Sequence, residues 1–367
     1  MPDVLILGAG LGGLLCGSIL ARHAYRVCLL EKGFQPGGAL QTFVREGIRF
    51  DTGLHSVGGL GPGEPLERIF RPLGLTELPW ERMEEDEVFL DGQSFPLSAR
   101  RDGAFLRLSG GSAWEKEHVV LPFLQSTWRL KGGGKVLVDA LVKDIEARGG
   151  SLLLRKEVVS VEEGEVLCRD GSRYSAPLVI SDLHPQLTFR MVRDHVRPAY
   201  LHTLASYTNC PGVFSVQIHL KPGKLRYIRH GIFIDQTLMV HCGEADQDGY
   251  AVSLDLLRWA PKGPWDREAL AKDSIALAAK RLPELPEAVG AYWTSTPATW
   301  ERFTGTPDGS AYGFAKKDKE ACLPTRTPLP WLYLTGQNIG LHGVLGVSET
   351  AVHTCRVILG DRFELNI

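Results

Sequence analysis

Near the start of the chain the run Gly8-Ala9-Gly10-Leu11-Gly12-Gly13 places small residues in a Gly-x-Gly-x-x-Gly spacing. Such a loop lets the backbone approach a bulky anion, and the start of the helix that follows offers free amides and a partial positive charge to a pyrophosphate. Glu31 stands about twenty residues further on, where a carboxylate can accept hydrogen bonds from ribose hydroxyls. Together these residues point to the binding of a dinucleotide. A glycine-rich turn with no ligand is the bland alternative, and it leaves Glu31 unexplained.

The elements needed to position these groups are legible around them. Residues 3–8 hold a short continuous apolar run, Val4 to Leu7, as expected of a strand buried on both faces. An apolar helical stretch reaches to about residue 23, and a second buried strand over 25–30 ends at Glu31. This is a beta-alpha-beta unit. Further on, the Asp91-Gly92 pair predicts a hairpin. An amphipathic helix is expected over 136–147, and strands over 151–154, 158–161, 165–168 and 178–181. Residues 186–320 read as a second region, with strands at 214–220, 228–234 and 250–256 and a helix over 266–281. A last apolar strand over 331–335 leads through a glycine-bearing loop to a helix beginning near Leu345 or Gly346.

Flavin and nicotinamide dinucleotides share the opening fingerprint, and residues 35–63 favour FAD. Gly37-Gly38, Thr42, Gly47, Phe50-Asp51, Gly53 and His55 form an extended, glycine-rich segment where a simple nicotinamide domain would continue with a helix. The closing segment repeats the theme with Tyr333-Leu334-Thr335-Gly336-Gln337-Asn338 and then Leu341-His342-Gly343-Val344-Leu345-Gly346-Val347.

In these motifs, and in the stretches 131–137, Val179-Ile180-Ser181-Asp182-Leu183-His184-Pro185 and 296–313, the chain resembles the phytoene desaturase, carotenoid isomerase and retinol saturase family, within the amine oxidase-like flavoprotein superfamily. The resemblance implies an α/β fold: a Rossmann-like, amine oxidase-like FAD-binding domain with a second, mixed-sheet substrate domain. It divides the chain into a discontinuous FAD-binding domain (1–63, 131–185 and 321–367) and a substrate-binding domain (64–130 and 186–320). It places Gly8, Gly10, Leu11, Gly12, Gly13, Glu31, Lys32, Gly37, Gly38, Ala39, Val158, Gly336, Gln337, Gly346 and Val347 against FAD, with the last helix aimed at the flavin. A helix amino terminus there would stabilise negative charge on the reduced ring. His55 and His342 are the polar side chains expected nearest the flavin, as catalytic candidates that orient substrate or move a proton; a histidine bonded to its own loop is the plain alternative for each.

The activity implied is FAD-dependent redox chemistry at a carbon-carbon bond (desaturation, saturation or isomerisation) of an apolar isoprenoid or polyene-like substrate, with a redox partner or a quinone completing the electron balance. A flavin amine oxidase is the first alternative, lowered by the lack of an aromatic residue between Gly336 and Val347. A non-catalytic isoprenoid-binding protein of the dissociation-inhibitor type is the second, opposed by the intact glycines and Glu31. Regions 64–130 and 186–320 are short for a member acting on long carotenoids, so a shorter apolar substrate is equally open.

Composition agrees with a globular enzyme. The 367 residues are 44% hydrophobic and 23% charged, with a formal net charge of -2 that gives no footing for nucleic acid. Seven cysteines without a CxxC pair are expected to be reduced thiols in a cytoplasmic protein. No apolar run is long enough for a transmembrane segment, although peripheral contact with a membrane stays open. The eleven histidines lack zinc-site spacing, so no metal is expected. Tyr312 and Trp293 are read as packing residues, Arg49 and Asp51 as partners in local contacts, and Glu349 as a first-turn residue of the last helix.

Overall fold

The computed structural model describes residues 1–100, 122, 125–192, 196–235, 237–261, 263–315 and 323–365; Cys322 lies outside them. Strands Val4–Leu7 and Val27–Leu30 are buried at every position, as their unbroken apolar sequences VLIL and VCLL require. They form the middle of a five-stranded parallel sheet in the order Ser151–Leu153, Val27–Leu30, Val4–Leu7, Leu178–Ser181, Leu332–Leu334.

The first helix, Leu11–Arg22, is buried along nearly its whole length. It packs between the helices Gly134–Ala147 and Gly343–Leu359. Gly17 permits the close approach, because a Cβ there would lie 3.0 Å from Ile145. Arg22 fastens the same corner through Asp144 (2.9 Å) and the carbonyls of Pro72 and Leu73.

A seven-stranded sheet runs Val289–Ser295, Val213–Leu220, Ser253–Trp259, Leu238–Cys242, Ile232–Ile234, Glu87–Leu90, Gln93–Pro96. All its pairings are antiparallel except that of Ile232–Ile234 with Glu87–Leu90. Phe214, Val216, Ile218, Leu254, Leu256 and Val240 alternate along the strands and pack with Ala271 and Ala278 of the helix Arg267–Ala279. The intervening residues fall on the other face. There Trp293, Gln217, Asp255 and His241 are register partners, one after another, across four neighbouring strands.

Most expected elements occur within a few residues of their expected places, including the hairpin whose turn residue Asp91 takes a φ of 51°. The last helix is a correction: it starts at Gly343. Glu349 therefore lies beyond the first turn, which holds no acidic residue. Arg49 and Asp51 also differ, since both belong to the strand Ile48–Asp51 and their contacts are distant in sequence. Asp51 accepts from the Gly134 amide at 3.1 Å, and Arg49 pairs with Glu244.

Gly13 is the tightest joint of the opening unit, because a Cβ there would lie 2.3 Å from the carbonyl oxygen of Gly8. Gly13→Ala must push the helix off the strand. Urea unfolding of the variant is expected to show a loss of about 1–3 kcal/mol; an unchanged midpoint would contradict this packing.

Candidate active site

A parallel sheet turns all its strands' carboxyl ends to one edge, and ligands bind in the crevice beyond that edge. Here the loops after Val4–Leu7, Val27–Leu30, Leu178–Ser181 and Leu332–Leu334 contribute to one cavity of about 350 Å³. Its wall includes Gly8, Gly10, Leu11, Gly12, Glu31, Gly37, Gly38, Ala39, Gln337, Gly346 and Val347, together with His55 and His342. These expected site residues meet in space although they come from both ends of the chain.

Four expected cofactor residues are not in this wall. Gly13 sits behind it as the helix–strand joint and turns its amide toward Asp182. Gly336 also abuts Asp182. Lys32 is exposed, with its Nζ donating to the Arg302 carbonyl at 3.3 Å, and Val158 pairs with Cys168 in a small antiparallel sheet.

The loop is built to receive an anion. Gly10, the N-cap of the first helix, provides no side-chain cap, and His342 provides none to the closing helix. Both amino termini border the cavity and bring to it the partial positive charge of a helix start. Gly38 approaches Gly10 so closely that a Cβ on it would lie 3.2 Å from the Gly10 Cα. Glu31 is 7% exposed and holds the loop from the far side, accepting from the Ala9 amide at 2.9 Å and the Gly33 amide at 2.7 Å. The residues present thus fit a dinucleotide, with a backbone cradle for its pyrophosphate and a buried carboxylate beside it.

The cavity continues from the loop to the second face of the seven-stranded sheet, where Phe233, Met239, Leu257, Trp259, Trp300 and Tyr312 line it. Tyr312 stacks on His342 with ring centroids 4.2 Å apart, so it is a cavity residue and corrects its reading as simple packing. Trp293 does pack, against Phe50 at 5.8 Å. At the polar end His55 stacks on His241 (5.1 Å, 9° between planes) and turns Nδ1 toward Asp255 at 3.7 Å.

That separation is too long for a hydrogen bond, and burial disfavours the charged form of each group. It pushes His55 down to about 4, with help from the Arg129 charge, and holds Asp255 well above the ordinary carboxylate range. His241 is pushed down as well, by burial first and then by His55. His55 Nε2, Asp255 Oδ1 and Gln217 Oε1 are buried without a hydrogen-bonding partner among the described residues. Sequence reading did not single out Asp182, His241, Asp255 or Asp86. Period-two alternation in the central strands places His241 and Asp255 on one face, but only the register brings them under His55.

These features define a flavin-dependent oxidoreductase built around two large sheets, with one cavity joining a dinucleotide loop to an apolar chamber. Comparison with known proteins agrees. Residues 6–73 match the model of an NAD(P)-binding Rossmann-like domain, and residues 80–359 match that of flavin containing amine oxidoreductase. The chain belongs to the flavin-containing amine oxidoreductase family, and its cofactor is FAD. It is 37% identical over 92 residues to all-trans-retinol 13,14-reductase of Macaca fascicularis, a match covering 24% of this chain and 15% of that protein. It is 43% identical over 71 residues to prolycopene isomerase 1, chloroplastic, of an Oncidium hybrid cultivar, covering 19% and 12%. The crystal structure of an oxidoreductase from Methanosarcina mazei shares the fold, with a TM-score of 0.71 at 16% identity over 95% of this chain and 99% of that one. Among the described residues no helix is long and apolar enough to cross a membrane.

Asp86, at the edge of the cavity, accepts from the Gly231 amide at 2.7 Å, and burial pushes its carboxyl up to about 7. An unfolded chain releases that proton near pH 4. The stability Asp86 contributes is therefore full below about pH 4 and is lost as pH rises to about 7. Thermal unfolding across this range is expected to show that decline in the wild type and a flatter profile in Asp86→Asn; parallel profiles would refute the assignment.

Proposed function

We propose that this FAD-dependent oxidoreductase acts on a carbon-carbon bond of an apolar isoprenoid or polyene-like substrate, by desaturation, saturation or isomerisation. The observation that carries the reading is the continuity of the cavity, from the glycine loop to a chamber walled by Phe233, Met239, Leu257, Trp259 and Trp300. The local similarity to proteins named for retinol reduction and prolycopene isomerisation supports it. When bound, FAD supplies the acceptor or donor of a hydride.

The roles proposed for the protein follow from the residues around the cavity. The amides of the Gly8–Gly13 loop and Glu31 hold the pyrophosphate and ribose; Gly37, Gly38, Ala39 and Gln337 line the path toward the flavin; Gly346 and Val347, in the closing helix, face its reduced edge. The apolar chamber excludes water and orients the substrate. His55 moves a proton at Nε2, while the stacked His241 holds its ring; His342, stacked on Tyr312, orients substrate. The proposed domain division, with 1–63, 131–185 and 321–367 for cofactor and 64–130 and 186–320 for substrate, follows the two large sheets, whose strands fall in separate sets.

An amine substrate is the poorer fit. The nearby carboxyls of Asp86 and Asp255 are held toward their neutral forms, so an ammonium group meets little negative charge in the chamber. Anaerobic mixing of the holoprotein with polyenes, isoprenoid alcohols and amines, in both redox directions, tests the reading. Flavin bleaching or reoxidation by the apolar compounds is expected. Reduction by amines with release of peroxide would overturn it. His55→Gln should slow the reactive half-reaction by about 10²–10⁴-fold at unchanged FAD content; an unaltered rate would remove His55 from the chemistry.

A further inference from the structure

Asp182 follows the strand Leu178–Ser181 and is fixed by its own amide, which donates to the Leu7 carbonyl at 2.9 Å. Its side chain is enclosed by the cofactor cradle. Added Cβ atoms on Gly10, Gly12 and Gly336 would lie 2.6, 2.4 and 2.4 Å from its carboxyl oxygens. The amides of Gly13 and Gly10 lie close enough to this carboxyl to favour its charged form. They are also among the donors that the loop offers to a pyrophosphate. One acidic side chain and one doubly anionic ligand therefore compete for a single set of donors at the cavity wall.

The charged groups facing Asp182 sharpen the conflict. Glu31, from the end of the second strand, is the charged neighbour that acts on it, and it raises the proton affinity of Asp182 further. The glycine loop and Gly336 carry no titratable side chain. On its own segment, His184 has its ring engaged by Asn209 (3.0 Å) and by the Gln186 amide (3.3 Å). Burial, more than any other influence, brings the Asp182 carboxyl up to about 7.

We propose that Asp182 is the resident competitor of the pyrophosphate cradle, and that FAD binds to the form in which its carboxyl carries a proton, so that where the free side chain is ionised one solvent proton enters with each cofactor. The proposal rests on the assignment of FAD to this cavity. The one bond formed is the carboxyl O–H, its proton coming from solvent: the proton cancels the negative charge beside the pyrophosphate and turns the side chain from a rival acceptor into a hydrogen-bond donor. A side chain packed at the crossing of three loops thereby couples cofactor retention to pH.

The test is the dissociation constant of FAD, measured by diluting the holoprotein at a series of pH values and reading released flavin by its fluorescence. Retention is expected to be level below about pH 6 and then to weaken, approaching tenfold per pH unit up to about pH 9, the slope of about one bound proton. Asp182→Asn, which cannot lose a proton, is expected to hold FAD with no such slope. A level wild-type profile overturns the proposal, and so does a slope that persists in Asp182→Asn. If that variant does not fold, Asp182→Ser serves, since it also lacks an ionisable group. Purified protein that contains no flavin and takes none up at about pH 6 overturns instead the assignment of FAD on which the proposal rests.

Discussion

Backbone must come within contact distance of backbone where the first helix leaves the first strand, and much of the site depends on that approach. Gly13 lies over the Gly8 carbonyl, Gly12 against the Gly336 backbone and Gly38 over Gly10, each at a separation that a side chain would prevent. These contacts draw three stretches, distant in sequence, to the carboxyl edge of one parallel sheet. The amino termini of the first and last helices then reach the same cavity. A dinucleotide with a charged middle and a reactive ring matches that arrangement, because the protein supplies amides and helix dipoles where the ligand carries or develops negative charge.

The second half of the cavity is governed by dehydration. Burial pushes the carboxyls of Asp86 and Asp255 up and the imidazoles of His55 and His241 down, so the polar row at its end is held toward uncharged forms that still offer donors and acceptors. Such a surface accommodates an apolar ligand at lower cost than an ionised one would. It also leaves a proton to be placed by geometry. His55 joins the two halves: it comes from the glycine-rich segment that follows the dinucleotide loop, and it stacks on a histidine of the seven-stranded sheet.

Legibility in the sequence followed the range of the interactions involved. Strands such as VLIL and VCLL, the Asp91-Gly92 hairpin and the glycine fingerprint are specified within a few residues, and each occurs in the structure. The start of the closing helix was misplaced because Gly343 reads as a loop residue, although an N-terminal position tolerates glycine. Asp51, expected to make a local contact, instead binds the amide of Gly134. The row Gln217–Asp255–His241 depends on the register of three strands, and the enclosure of Asp182 on three separate loops. Neither leaves a mark in local spacing. Tyr312 gave no sign of its stacking on His342 for the same reason.

The central claim is that one cavity holds FAD and an apolar substrate end to end, and a crystal structure of the holoprotein grown with an isoprenoid alcohol tests it most directly. The account predicts the pyrophosphate on the Gly8–Gly13 loop, the flavin ring at the amino terminus of Gly343–Leu359, and the alcohol's hydrocarbon chain between Phe233, Met239 and Trp300. A flavin ring turned out to solvent, or an apolar ligand bound away from that chamber, would contradict it.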